Sequence, residues 1–434
     1  MAKRFSKMLF IFIIISFFFI STSSPLLAQE GYKNSHFGVQ GAIVKFPDEM
    51  KEAGVEISRE WIVWSKIEPE DNVYDWTEMD KKVRQANDAG IEVLGYFIDM
   101  PIWARNMENP KCNRTLKNKP IDACEPKDWN DFKEFARNVV ERYDGKHGHG
   151  EIKYIEIFNE VQGFSEMNAK EYGPWLINGY QAIKQGNPDV QVLLGAVHAP
   201  LDFNGGNSGQ STEDFIDAML RDYNQYYDIF NFHIYQKIDS AVEKTINYMK
   251  GRMRNYNVDK PMWITETATL LPNIICNNLG WQDNVAGDLI KRYARALGNG
   301  VEKVFWFAFV GLPTVEEDVN GVGCNKPTNF LIGNLGWSFK KSSIFHPRPA
   351  YSTHKLMTSK LSGFNSVYKI SGTQYKFTFS NKDPVYVLWC DSGSCSLPSE
   401  ITKTVKVTDY LGNEEIKNTN QITLTESPVF VEEK

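Results

Sequence analysis

The sequence predicts an α/β fold: a (β/α)8 (TIM) barrel followed by a small C-terminal antiparallel β-sandwich domain. Three observations carry the prediction. Between residue 36 and about 363, eight short apolar runs alternate with stretches of helical periodicity. The fourth and seventh of those runs end in a glutamate. After Gly363 the pattern changes to the two-residue alternation of half-buried strands.

The chain opens with an expected secretory signal, residues 1–28. Lys3, Arg4 and Lys7 precede an apolar run from Leu9 to Ile20, broken only by Ser16, and a small polar stretch leads to Ala28. The run is short for a membrane span, which needs about 20 apolar residues. Cleavage after Ala28 would remove three positive charges and no negative ones, taking net charge from -6 to -9. Such an acidic chain is a poor partner for nucleic acid, and no basic cluster suits a membrane surface. The expected location is therefore exported: periplasmic, extracellular or cell-surface.

The barrel is expected over 35–364. Its strands are predicted at 36–42, 55–60, 91–97, 152–158, 190–196, 228–235, 261–266 and 302–309, with a helical stretch after each. In the second helix Met79, Val83 and Ala86 share one face and Gly90 is placed to end it. The eighth helix, Tyr351 to Leu361, starts after Pro347 and Pro349. A doubly wound nucleotide-binding sheet would need a phosphate-cradling Gly-rich turn after its first strand, and Gly38-Val39-Gln40-Gly41 is not one.

Residues 365–434 form the second domain. Tyr375–Phe379, Val385–Trp389, Thr404–Val407 and Pro428–Val431 read as strands, punctuated by turns such as Leu411-Gly412-Asn413. No Trp pair suited to an exposed sugar platform stands out, so this domain is read as a buttress to the barrel rather than a binding module. Six cysteines in an exported chain suggest disulfides. Their grouping suggests Cys112–Cys124, Cys276–Cys324 and Cys390–Cys395, each fastening a loop. The spacings lack the tight Cys-x-x-Cys pairs of zinc sites.

Chemistry in a parallel barrel sits where strand C-termini meet the following loops. Glu160 is expected at the end of strand four and Glu266 at the end of strand seven. Those strands face each other across the mouth of an eight-membered ring. Two carboxyl groups flanking one bond are the minimum equipment for cleaving a glycosidic linkage. No cluster of His and Asp metal ligands stands out among the 7 His, so no metal or other cofactor is expected.

Five ordered motifs then resemble clan A glycoside hydrolases, of the family 39 and family 5 kind. Glu156-Ile157-Phe158-Asn159-Glu160 resembles their acid/base motif, and Trp263-Ile264-Thr265-Glu266-Thr267 their nucleophile strand. The stretch 58–76, with Arg59, Trp64-Ser65, Glu68-Pro69 and Tyr74-Asp75-Trp76, resembles their second-strand segment. Pro101-Ile102-Trp103-Ala104 and Phe232-His233-Ile234-Tyr235-Gln236 resemble segments after strand three and on strand six. The tail, with 407–415 and 424–431, resembles the β-domain appended to many such enzymes.

The resemblance implies a retaining β-glycosidase with a carbohydrate substrate. Glu160 would be the acid/base, its pKa raised by its setting, and Glu266 the nucleophile. Arg59 would supply the opposite charge that favours ionised Glu266. Tyr235 would donate its hydroxyl to the nucleophile. Asn159 would hold the sugar 2-hydroxyl. His233 shares strand parity with Tyr235 and points inward, as a substrate contact or a core histidine. Trp103 would line the cleft. Trp306 would floor the sugar site or simply pack the barrel. Glu156 is read as a buried structural carboxylate with a partner. A transglycosidase or an exopolysaccharide-processing glycosidase would use the same residues. A non-catalytic sugar-binding barrel has no evident need for the full set.

Overall fold

The computed structural model describes residues 35–113, 115, 116, 119, 120, 124–163, 167–198, 210–235, 240–269, 281–311, 335–337 and 344–434. The expected signal segment and the expected Cys276–Cys324 bridge lie outside them.

The barrel strands are Phe37–Gln40, Ile57–Val63, Glu92–Ile98, Tyr154–Glu156, a fifth strand in two pieces (Gln191–Leu193 and Val197–His198), Phe230–Ile234, Met262–Thr267 and Lys303–Trp306. All pair in parallel and in chain order, and the eighth returns beside the first, with Phe37 opposite Val304. The expected continuous fifth strand is broken. Its first piece pairs with the fourth strand and its second with the sixth. A bridge between Leu193 and Ile229 closes the ring. At the break, a Cβ on Gly195 would stand 2.6 Å from the Ile157 carbonyl oxygen, so only glycine fits.

Inside the ring, Ile57, Leu94, Tyr154, Leu193, Ile229, Trp263 and Phe305 form one buried apolar layer. Strand one contributes Gly38, where a Cβ would lie 2.5 Å from the Phe305 ring. This layer plugs the barrel and supports everything above it.

Among the described residues, the helices that cover the outside are Pro47–Glu52, Thr77–Ala89, Trp129–Arg142, Ala169–Gly186, Gln210–Arg221, Ser240–Asn255, Trp281–Gly298 and Pro349–Leu361. Met79, Val83 and Ala86 are buried together, and Gly90 ends their helix at φ +77°. Asn168 caps the fourth-unit helix, with Glu171 closing a capping box.

The C-terminal domain is one six-stranded antiparallel sheet: Ser366–Ser371, Gln374–Thr378, Val385–Leu388, Val405–Asp409, Glu414–Lys417 and Val429–Glu433. Tyr375, Phe377, Val387 and Phe430 on one face join the barrel's core. Tyr386, Leu388 and Val431 on the other face pack under Ile401 and Leu424. The second layer on that face is thus irregular chain rather than another sheet. Arg295, on a barrel helix, donates to the Gly372 carbonyl at 2.6 Å and to Asp391 at 2.8 Å, which ties the two parts together. The Cys112–Cys124 and Cys390–Cys395 disulfides are formed. Among the described residues, no helix is long and apolar enough to cross a membrane.

Candidate active site

Above the apolar layer the barrel interior turns polar. Arg59, next inward on strand two after Ile57, is fully buried. Its guanidinium is spread over five acceptor atoms on four residues. Nε and Nη2 donate to Glu156 at 2.7 and 3.0 Å. Nη1 donates to Glu266 Oε1 at 2.6 Å and to Gln40 at 2.8 Å. Nη2 also reaches Asn159 Oδ1 at 2.6 Å. The Tyr96 ring lies 3.9 Å beneath it. Burial pulls the Arg59 pKa down, but Glu156 and Glu266 more than reverse this, so the charge is firmly held. The partner of buried Glu156 is therefore Arg59.

Glu266 faces this guanidinium because strand seven is irregular. Its register against strand six shifts between Ile264 and Glu266. Simple alternation would turn Thr265 and Glu266 to opposite faces. Instead Thr265 meets Asn231 and His233, and Glu266 meets Arg59 and Tyr235. A bulge of this kind re-aims a side chain beside an active site. Tyr235 donates its hydroxyl to Glu266 Oε2. Burial, and then the Glu266 charge, push the tyrosine pKa well above its ordinary value, so it remains a donor.

Glu160 lies four residues beyond the end of strand four, on a turn, rather than on the strand itself. Phe158 and Glu160 both have positive φ, +68° and +44°. Non-glycine residues in that region carry local strain that packing must hold. The Phe158 ring does so, wedged between Phe132 and Trp175. Glu160 is thereby swung into the mouth, 7% exposed. Its Oε1 is 2.6 Å from His233 Nδ1, and its Oε2 is 3.5 Å from His198 Nε2. Burial raises the Glu160 pKa, opposed by His198 and Arg59.

His233 is buried, its Nε2 3.1 Å from Thr265 Oγ1. Burial lowers its pKa to about 4, so the ring is neutral at physiological pH. Glu160, His233 and Glu266 each offer a ligand atom, all within 4.8 Å of one another. The sequence did not reveal this grouping as a possible cation site. Each member, however, already has protein partners, and Arg59 sets a full positive charge against Glu266. That favours proton transfer over cation binding.

Six of the eight sequence-selected residues thus meet: Glu160, Glu266, Arg59, Asn159, Tyr235 and His233. Two stand apart. Trp103 packs edge-on against Trp64 and donates its indole N–H to the Glu68 carbonyl at 3.0 Å, contacts that include neither carboxyl group. Trp306 is fully buried and pairs with Val39, on the side opposite Phe305 and the barrel interior. Phe307, one residue on, is the ring that meets Tyr235, 6.1 Å between centroids. Sequence reasoning passed over Gln40, Tyr96 and His198, none of which sits in a distinctive motif, and over Thr265, which lies inside the 263–267 motif but was given no role.

A family model for a glycosyl hydrolase catalytic core matches residues 123–334, and a beta-galactosidase model matches residues 41–97. The chain carries a glycoside hydrolase catalytic core. Its structure is similar to a family 39 glycoside hydrolase from the gut symbiont Bacteroides cellulosilyticus WH2, with a TM-score of 0.68 and 17% identity over 93% of this chain and 82% of that one. It is also similar to a GH39 beta-xylosidase from Caulobacter crescentus, with a TM-score of 0.63 and 13% identity over 95% and 98%. A family 30 subfamily 8 xylanase from Clostridium acetobutylicum gives 0.56 and 13% over 92% and 96%. At these identities the likeness is one of fold, and it spans both the hydrolase barrel and the appended sheet. No curated protein matches the chain.

Proposed function

We propose that this glycosidase is an exported, retaining β-glycosidase acting on an oligo- or polysaccharide. The observation that carries the reading is the closeness of the two carboxyl groups, with oxygens of Glu160 and Glu266 within 4.8 Å. Inverting enzymes need about 6.5–9.5 Å between carboxyl groups to admit a water, whereas retaining enzymes hold them about 5–5.5 Å apart.

In the first step Glu160 gives its proton to the leaving oxygen. Glu266 attacks the anomeric carbon as the C–O bond breaks, and a glycosyl ester forms. In the second step ionised Glu160 takes a proton from water, which displaces Glu266 and frees the sugar. Arg59 and Tyr235 each hold one oxygen of Glu266, so the nucleophile is fixed before substrate arrives. A neutral His233 accepts from Glu160 while it is protonated and donates to it once ionised, through its two tautomers. Arg59 occupies Asn159 Oδ1, which leaves the Asn159 amide N–H groups for a sugar hydroxyl.

Export rests on the basic-then-apolar N-terminus and on two disulfides. A panel of aryl β-glycosides and soluble polysaccharides, with product sizing, tests the activity. Hydrolysis that Glu160→Gln and Glu266→Gln each abolish is expected. Turnover that survives both substitutions would refute the assignment.

A further inference from the structure

One large aromatic side chain near the site stands largely in solvent. Trp61 is 54% exposed, although every other residue from 57 to 62 is buried. Lone exposed aromatics are common on protein surfaces. Trp61 differs in where it stands. On strand two Ile57 lies in the apolar plug and Arg59 in the catalytic cluster, so Trp61 has the same inward parity. It is two residues closer to the rim than Arg59, about 6.6 Å along the strand. It pairs with Tyr96, whose ring lies under Arg59. An indole here stands over the barrel mouth.

Its backbone is rigid. The strand pairing continues past it to Val63, and Lys82 donates to the Trp61 carbonyl at 2.7 Å. The nearby tryptophans on the same segments are committed elsewhere, since Trp64 and Trp103 give their N–H groups to Glu68. Trp61 therefore presents an apolar, solvent-facing ring from a fixed backbone position, one step along the strand from the Arg59 guanidinium. The apolar face of a pyranose ring is its natural complement.

Which side of the cleaved bond it serves follows from Arg59. That guanidinium binds the nucleophile and Asn159, so the sugar to be esterified rests on its side of the mouth. The leaving group departs past Glu160, toward His198 on the far strand. Resting on the proposed glycosidase reading, we propose that Trp61 is the platform of a second glycone-side subsite, which selects substrates with at least two sugars on that side. The hydrolase would then release disaccharides or longer units rather than trim single sugars.

The test compares p-nitrophenyl β-xylobioside, β-cellobioside and β-mannobioside with the corresponding monosides, on wild type, Trp61→Ala and Trp61→Phe. Wild type is expected to prefer a bioside to its monoside. Trp61→Ala should lower kcat/KM on that bioside by about 10- to 30-fold, and on the monoside by less than about threefold. Trp61→Phe keeps a ring on the strand and should fall between, which covers the case of an alanine variant that fails to fold. Equal losses on both substrates, or none on either, would overturn the subsite and leave the glycosidase reading standing. No wild-type turnover on any of the six would overturn both.

Discussion

Arg59 and Glu156 form a two-point ion pair, 2.7 and 3.0 Å, with both side chains fully buried. The pair anchors the guanidinium whose Nη1 holds Glu266. Glu156 also accepts from the Ala196 amide at 3.1 Å, at the break in strand five. One carboxylate thus links strands two, four and five. Removing one partner of a buried pair leaves an uncompensated charge, at a cost of about 3–5 kcal/mol. Glu156→Ala is accordingly expected to lose that much stability in urea unfolding. A loss under about 1 kcal/mol would mean that Glu266 and Gln40 suffice to hold Arg59.

Glu266→Gly is expected to fold, because Glu156 still neutralises Arg59. Its turnover should fall by on the order of 10⁶-fold, as for a lost nucleophile in a serine hydrolase. Azide should enter the vacated space and restore cleavage of an activated aryl glycoside, giving a glycosyl azide. Wild-type rates in this variant would assign the nucleophile elsewhere.

The barrel was legible because its signal is long-range and repetitive. Eight apolar runs spaced for eight strand–helix units have few other solutions, and all eight strands appear within a few residues of expectation. The carboxyl pair was legible from its place at the ends of the fourth and seventh runs. What alternation cannot encode is where it fails. The bulge at Thr265–Glu266 turns two consecutive residues inward, and the left-handed turn at Phe158 and Glu160 carries the acid past the strand. Trp306 illustrates the same limit. An apolar run such as Val304–Phe307 reads alike on both faces, and only the neighbour Gly38, yielding space to Phe305, fixes which ring looks inward. His198 escaped because it follows the break in strand five, where no pattern announces a return to the mouth.

Acid should destabilise the fold through its buried histidines. His233 and His354 both have pKa values lowered by burial from 6.5 to about 4. For a base whose folded pKa is depressed, the stabilisation is complete above the unfolded value and lost as pH falls through the folded one. The window is therefore pH 6.5 down to 4, worth about 3 kcal/mol for each ring. Glu160, with a raised pKa, acts in the opposite sense, so its destabilising effect fades as pH falls. His354 is the cleaner probe, since it binds the Ala53 carbonyl at 2.8 Å, far from the carboxyl pair. His354→Gln should flatten the urea stability profile across that window by about 1.4 kcal/mol per pH unit. A profile parallel to wild type would show that His354 titrates normally.

The first product should keep the anomeric configuration of the substrate. The carboxyl oxygens of Glu160 and Glu266 approach within 4.8 Å, and both oxygens of Glu266 are held by Arg59 and Tyr235. Carboxyl groups so close leave no room for a water between Glu266 and the anomeric carbon. The covalent ester must then be opened from the opposite face, the one the leaving group vacated, by a water that Glu160 deprotonates after giving up its first proton. Two inversions at one carbon restore the starting configuration. Proton NMR during the first minutes of hydrolysis, before mutarotation, reads this directly. A β-anomer from a β-glycoside is expected. An α-anomer would overturn double displacement, and Glu266 would then have to act as a base on water while Glu160 kept its role as the acid.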